Sequence, residues 1–143
     1  DLADQMGFLK SFFGKKGNDF LDEVDQYLEI ADLTVNWKDD ISSLSYGQLK
    51  RLEIVRSLLS HPKVLLVDEP AAGLNAKELE KSVALMRHAA EKGVGIVLIE
   101  HKMDMIMNVC DHIVVLNFGK MIAHGTPEEV QSNEAVIEAY LGR

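Results

Sequence analysis

Asp68 and Glu69 stand side by side directly after the apolar run Val64-Leu65-Leu66-Val67. Such a run, read here as Lys63 to Val67, has the texture of a short strand buried on both faces. In open α/β sheets, ligands meet the carboxyl ends of strands, which is where this pair lies. Neighbouring strand residues point to opposite sides, so the two acids can take different tasks. Asp68 can hold a Mg²⁺ ion, directly or through water, and Glu69 can polarise an attacking water. An acidic pair can also do no more than finish a strand–loop junction.

Two other places offer related chemistry. In Leu44-Ser45-Tyr46-Gly47-Gln48, Gln48 stands twenty residues before Asp68, and the segment opens a helix. A small hydroxyl and a glycine at a helix start present unpaired N–H groups and the positive end of the dipole to an anion. The plain alternative is an ordinary N-cap. His101 closes the run Ile99-Glu100-His101, 32 residues after Glu69. An imidazole at a strand end can bond a phosphate and orient a water, although a lone histidine is commonly just a surface or packed residue. His61, His88, His112 and His124 lack metal-ligand spacing and read as structural. Cys110 is the only cysteine, which excludes an intramolecular disulfide and a Cys-based zinc site.

These groups need elements to hold them. Residues 1–43 read as a helical segment, with Leu21, Val24, Leu28 and Ala31 at helical spacing. A loop is expected at 14–18, and Phe8, Phe12 and Phe13 call for burial. Gly47 to Ser60 reads as a helix with Leu49, Leu52, Val55 and Leu59 inward, ended by His61-Pro62. Asn75 caps a helix running to about Lys92, with Glu78 completing a capping box and Gly93 at the C-terminal glycine position. Ile96 to Ile99 is a second buried strand, followed by a helix through Met103, Ile106, Met107 and Cys110. In that helix Met103 and Met107 are expected to fill core, with Met105 open. Ile113 to Leu116 and Met121 to Ala123 form a hairpin around Asn117-Phe118-Gly119-Lys120. Thr126-Pro127-Glu128-Glu129 opens the terminal helices. The alternation predicts an α/β fold with a mainly parallel sheet.

The 143 residues suit one domain, and 47% hydrophobic with 27% charged residues is a globular composition. A formal net charge of -8 argues against nucleic acid as a direct partner. No apolar run approaches the roughly 20 residues that span a bilayer, and no secretory signal peptide is expected. The chain opens on Asp1 rather than Met, as a piece of a longer gene product would.

Taken together, these segments resemble the ATP-binding-cassette ATPases. Leu65-Leu66-Val67-Asp68-Glu69-Pro70 is similar to the family's Walker B motif, and Ala71-Ala72-Gly73-Leu74-Asn75 to its D-loop, where many members carry Asp in place of Asn75. Leu44-Ser45-Tyr46-Gly47-Gln48 resembles the signature Leu-Ser-Gly-Gly-Gln, with Tyr46 departing from the first glycine. Lys50 to Arg56 resembles the basic helix after it, and His101 the switch histidine. The resemblance implies a P-loop NTPase-like core preceded by a helical subdomain, and ATP and Mg²⁺ as cofactors. It also implies Asp68 as Mg²⁺ ligand and Glu69 and His101 as catalytic groups. Ser45, Gly47 and Gln48 would face the ATP of the opposite subunit, with Gly73 and Asn75 in the D-loop. The implied partners are a second ATPase subunit and membrane-spanning permease subunits, at the cytoplasmic face of the membrane. Gly125 to Val130 and Val136 to Gly142 look like the tail of branched-chain amino-acid importer ATPases; lipopolysaccharide-export ATPases end similarly.

The sequence contains no Gly-x-x-x-x-Gly-Lys-Ser/Thr. The expectation is therefore a cassette cut before its signature subdomain, divided as 1–62 helical, 63–125 core and 126–143 tail. Alone it would be inactive, and a bared strand edge would favour self-association. Two other readings are a non-catalytic fragment and a soluble relative in DNA repair or translation. The short helical segment and compact tail disfavour the second of these.

Overall fold

Leu21, Val24 and Leu28 recur about one turn apart within 19–30, and all three are buried, with Ala31 just beyond. This stretch is helix α1. The computed structural model describes residues 19–36, 38 and 40–141. The loop expected at 14–18 and Phe8, Phe12 and Phe13 lie outside the described residues. The chain divides into two compact units, Asp1–Val97 and Leu98–Arg143.

In the first unit, a short 3-10 turn, Ile41–Ser43, leads into α2, Tyr46–Leu58. Then follow β1, Val64–Asp68, and α3, Ala76–Glu91, and β2, Gly95–Ile99, begins at the unit's end. β1 and β2 are hydrogen-bonded neighbours. The Gly95 N–H donates to the Lys63 carbonyl at 2.9 Å, so the strands meet start to start and run parallel, as a helical crossover permits. α3 begins and ends as expected: Asn75 caps it in a full capping box, and Gly93 follows at φ +88.

Two inward faces differ from expectation. On α2 the buried residues are Gly47, Arg51, Ile54, Val55 and Leu58, whereas Leu49, Leu52 and Leu59 are half-buried. Apolar residues occur on several sides of this helix, so periodicity alone selects no face; contact with α3 does. On β1, Leu65 and Val67 are buried, but Val64 and Leu66 face outward, Leu66 at 74% exposure. Val97 and Ile99 of β2 are exposed as well. A doubly apolar strand needs a covering layer on each side, and the described residues furnish one.

Arg51 is the odd member of the α2 face. It is 5% exposed, and its Nε and Nη1 find no hydrogen-bond partner among the described residues. A buried polar group without a partner costs about 1–3 kcal/mol, and more when charged. Arg51→Met keeps length and removes the charge, so it should raise the unfolding free energy by about 1–3 kcal/mol. Urea denaturation checks this, and a loss of stability would show that the guanidinium is satisfied.

In the second unit, α4, Met103–Val109, precedes strands β3, Ile113–Asn117, and β4, Lys120–Gly125. These form an antiparallel hairpin whose two-residue loop, Phe118-Gly119, has φ +47 and +75. Two positive φ values are what a type I′ turn requires, and Phe118 adopts one while fully exposed. Thr126 caps α5, Pro127–Gln131, through the expected capping box, and α6, Glu134–Leu141, follows. Ile113, Val115, Ala123, Val130 and Val136 make the core here, with Met103 and Met107 packed against it. Met105, left open from sequence, is itself buried. Among the described residues, no helix is long and apolar enough to cross a membrane.

Candidate functional site

β1 ends at Asp68, on the outward face it shares with Val64 and Leu66. Glu69 follows, exposed, at φ +45. A left-handed backbone costs an ordinary residue roughly 1–2 kcal/mol, and such strain gathers at working positions. Two turns then carry the chain to α3: the Ala72 N–H donates to the Glu69 carbonyl at 3.1 Å and the Leu74 N–H to that of Ala71 at 3.3 Å. Gly73, at φ +73, supplies the left-handed bend between them. Asn75 Oδ1 accepts from the Glu78 N–H at 3.0 Å, while the Asn75 N–H donates to Glu78 Oε2 at 3.1 Å.

The Ser45 turn is built alike. Ser45 Oγ accepts from the Gln48 N–H at 3.3 Å, and the Ser45 N–H donates to Gln48 Oε1 at 2.8 Å. Among the described residues both side chains keep donors to spare, the serine hydroxyl proton and the glutamine NH₂. The first-turn N–H groups of Tyr46 and Gly47 have no acceptor inside the helix. The place of a side chain on Gly47, which is buried, is taken by the Glu78 carboxylate. The structure thus brings Ser45, Gly47 and Gln48 beside the loop of Gly73 and Asn75, which itself continues from Asp68 and Glu69.

His101 belongs to the second unit and is described there. Glu100, whose side chain is 1% exposed, accepts with Oε2 from the N–H groups of His101 at 2.8 Å and Lys102 at 3.1 Å. The same oxygen lies 3.8 Å from His101 Nδ1, which limits where the imidazole swings. Sequence reading passed over Glu100. A carboxylate directly before a strand-end histidine is the signal that finds it.

The other histidines keep structural company. His88 meets the edge of the Tyr27 ring, with centroids 5.8 Å apart, and His112 lies 5.8 Å from His124 across the hairpin. Burial first, and then the Asp111 carboxylate, push the Cys110 thiol up, away from the thiolate form a nucleophile needs. No group of three or more His, Cys, Asp or Glu side chains placed to hold a metal occurs among the described residues. Mg²⁺ does not need one, since one or two carboxylates with waters and phosphate oxygens suffice. The exposed Asp68 carboxylate, a hard oxygen donor at a strand end, fits that use.

The sequence model of the ABC transporter family matches residues 4–72, spanning the Ser45 turn and the Asp68–Glu69 pair. That of the branched-chain amino acid ATP-binding cassette transporter matches residues 120–143. The chain belongs to the ATP-binding-cassette transporter family. It is 42% identical over 131 residues to the high-affinity branched-chain amino acid transport ATP-binding protein BraF of Pseudomonas aeruginosa, covering 91% of this chain and 51% of that protein. It is 41% identical over 140 residues to LivG of Escherichia coli, covering 95% and 54%. The ADP conformation of MJ1267, an ATP-binding cassette of an ABC transporter, superposes with TM-score 0.71 at 31% identity, over 87% of this chain and 51% of that one. The chain spans about half the length of the curated relatives it matches. These cassette structures carry the P-loop NTPase fold expected from the sequence. The tail, read as importer-like from 125 to 142, falls within the second matched segment.

Proposed function

We propose that this chain is the signature-and-hydrolysis part of an importer ATPase, with branched-chain amino acids as the transported class. The helical subdomain is 1–62, the core portion 63–125 and the tail 126–143. The observation that carries the reading is the junction of the Ser45 turn with the Gly73–Asn75 loop, directly after Asp68 and Glu69 on one strand end. The names of BraF and LivG support the substrate class.

In this reading ATP lies between two subunits. Glu69 takes up the proton of the attacking water as general base. His101, steadied by Glu100, donates to the developing charge on the phosphoryl group. The spare donors of Ser45 and Gln48, with the Tyr46 and Gly47 N–H groups, serve the nucleotide held by the opposite subunit. Asp68 is the residue that would hold Mg²⁺, which supplies charge neutralisation along the phosphates. Permease subunits are the proposed partners on the membrane side, placing the chain peripherally at the cytoplasmic face.

The half that grips the β- and γ-phosphates is not encoded within these 143 residues, which contain no Gly-x-x-x-x-Gly-Lys-Ser/Thr. Purified alone, the chain should show no tight ATP binding in calorimetry and no phosphate release above buffer. Joined to a portion bearing that loop, it should hydrolyse ATP. Turnover by the isolated chain, or none by the joined one, overturns the reading.

A further inference from the structure

Two glycines in the first unit are each fitted to a side chain from across the α2–α3 junction. An added Cβ at Gly73 would lie 2.9 Å from Cε1 and 3.3 Å from Cδ1 of Tyr46. An added Cβ at Gly47 would run into the Glu78 carboxylate. The signature turn thus lends a ring to the D-loop, and the helix after the D-loop lends a carboxylate to the signature turn. Glu78 is not free to withdraw, because its Oε2 also accepts the Asn75 N–H. Nor is the ring loose: Lys50 Nζ lies 5.7 Å from its centroid, within cation–π reach. Tyr46 is nonetheless half exposed, so core burial does not explain its seat.

We propose that Tyr46 is a positioning residue: its ring, seated on Gly73, fixes the D-loop against the signature turn so that the two move as one body. The functional half of this inference rests on the ATPase reading above. Glycine, the commoner residue at this place in the family's signature, has no ring to offer, and the D-loop would then be held from the Glu78 side alone. The coupling uses the ring and not the hydroxyl, since the Tyr46 atoms nearest a Cβ added at Gly73 are ring carbons.

The physical half can be tested on the chain itself by native-state amide exchange. The Ala72 and Leu74 N–H groups, bonded within the D-loop, report its order. Tyr46→Gly should speed their exchange by about tenfold, and Tyr46→Phe should return it to the original rate. A double-mutant cycle gives a second reading. Gly73→Ala should lower the folding equilibrium constant more than tenfold beside Tyr46. In the Tyr46→Gly background the loss should be only about fivefold, because backbone strain alone remains. Unchanged exchange in Tyr46→Gly, or additive effects in the cycle, overturns the proposal.

The functional half is read in a cassette that joins this chain to a phosphate-binding loop. Tyr46→Gly should lower kcat several-fold at constant KM, with Tyr46→Phe restoring it. An unchanged kcat beside altered exchange overturns the role in turnover. Absence of turnover in every variant, Tyr46 included, overturns the ATPase reading and leaves the clamp standing.

Discussion

Glu69→Gln is expected to lower ATP turnover by about 10²- to 10⁴-fold in a cassette that joins this chain to a phosphate-binding loop. Gln keeps the length of the side chain and accepts the same backbone, but it cannot take a proton from water. KM for ATP should hold, because Glu69 acts on the water and not on the phosphate grip. Glu69→Gly makes a sharper comparison. It removes the side chain from a φ of +45, so the chain should become more stable by about 1 kcal/mol while turnover falls just as far. Opposite signs for stability and activity at one position mark strain kept for chemistry. Steady-state kinetics beside thermal melting measures both. Turnover of the Gln variant within a few-fold of Glu69 would remove the residue from the role of base.

Leu85→Ala should cost about 2–5 kcal/mol of unfolding free energy. Leu85 is 0% exposed, on the α3 face it shares with Ser82, Met86 and Ala89. α3 packs on α2 and links the two parallel strands. Loss on this scale approaches the whole stability of a modest domain, typically about 5–15 kcal/mol. Val97→Ala is the paired control: it trims apolar bulk from an exposed strand face and should cost less than about 1 kcal/mol. Urea titration of the two variants decides between them. Equal penalties would mean that the outward strand face is as well packed as α3.

Local signals were readable wherever a side chain and a backbone group a few residues apart decide the outcome. Ser45 with Gln48, Asn75 with Glu78 and Thr126 with Glu129 are all visible as spacings of three, and all three capping boxes form. The hairpin around Phe118-Gly119 is of the same kind. Faces were harder. α2 carries apolar residues on several sides, and its inward stripe includes Arg51, a residue no hydropathy pattern would place there. The β1 run announced apolar faces but not which one the described chain would cover. For the site, the order of the Ser45 turn, the Asp68–Glu69 pair and His101 was legible along the sequence. The seat of Tyr46 on Gly73 was not, because it joins residues 27 positions apart and depends on a positive φ. Glu100 holds two main-chain N–H groups, and the only trace of that task in the sequence is a carboxylate directly before the strand-end histidine.

Val64 and Leu66, the outward residues of β1, also bear on how long the molecule lasts in a cell. Quality-control machinery reads extended apolar segments on a surface, and this strand offers one beside a well-formed core. Chaperone residence and proteolytic clearance should therefore follow how quickly that strand face becomes occupied after synthesis. Strengthening the helices behind it would leave the same tag on display.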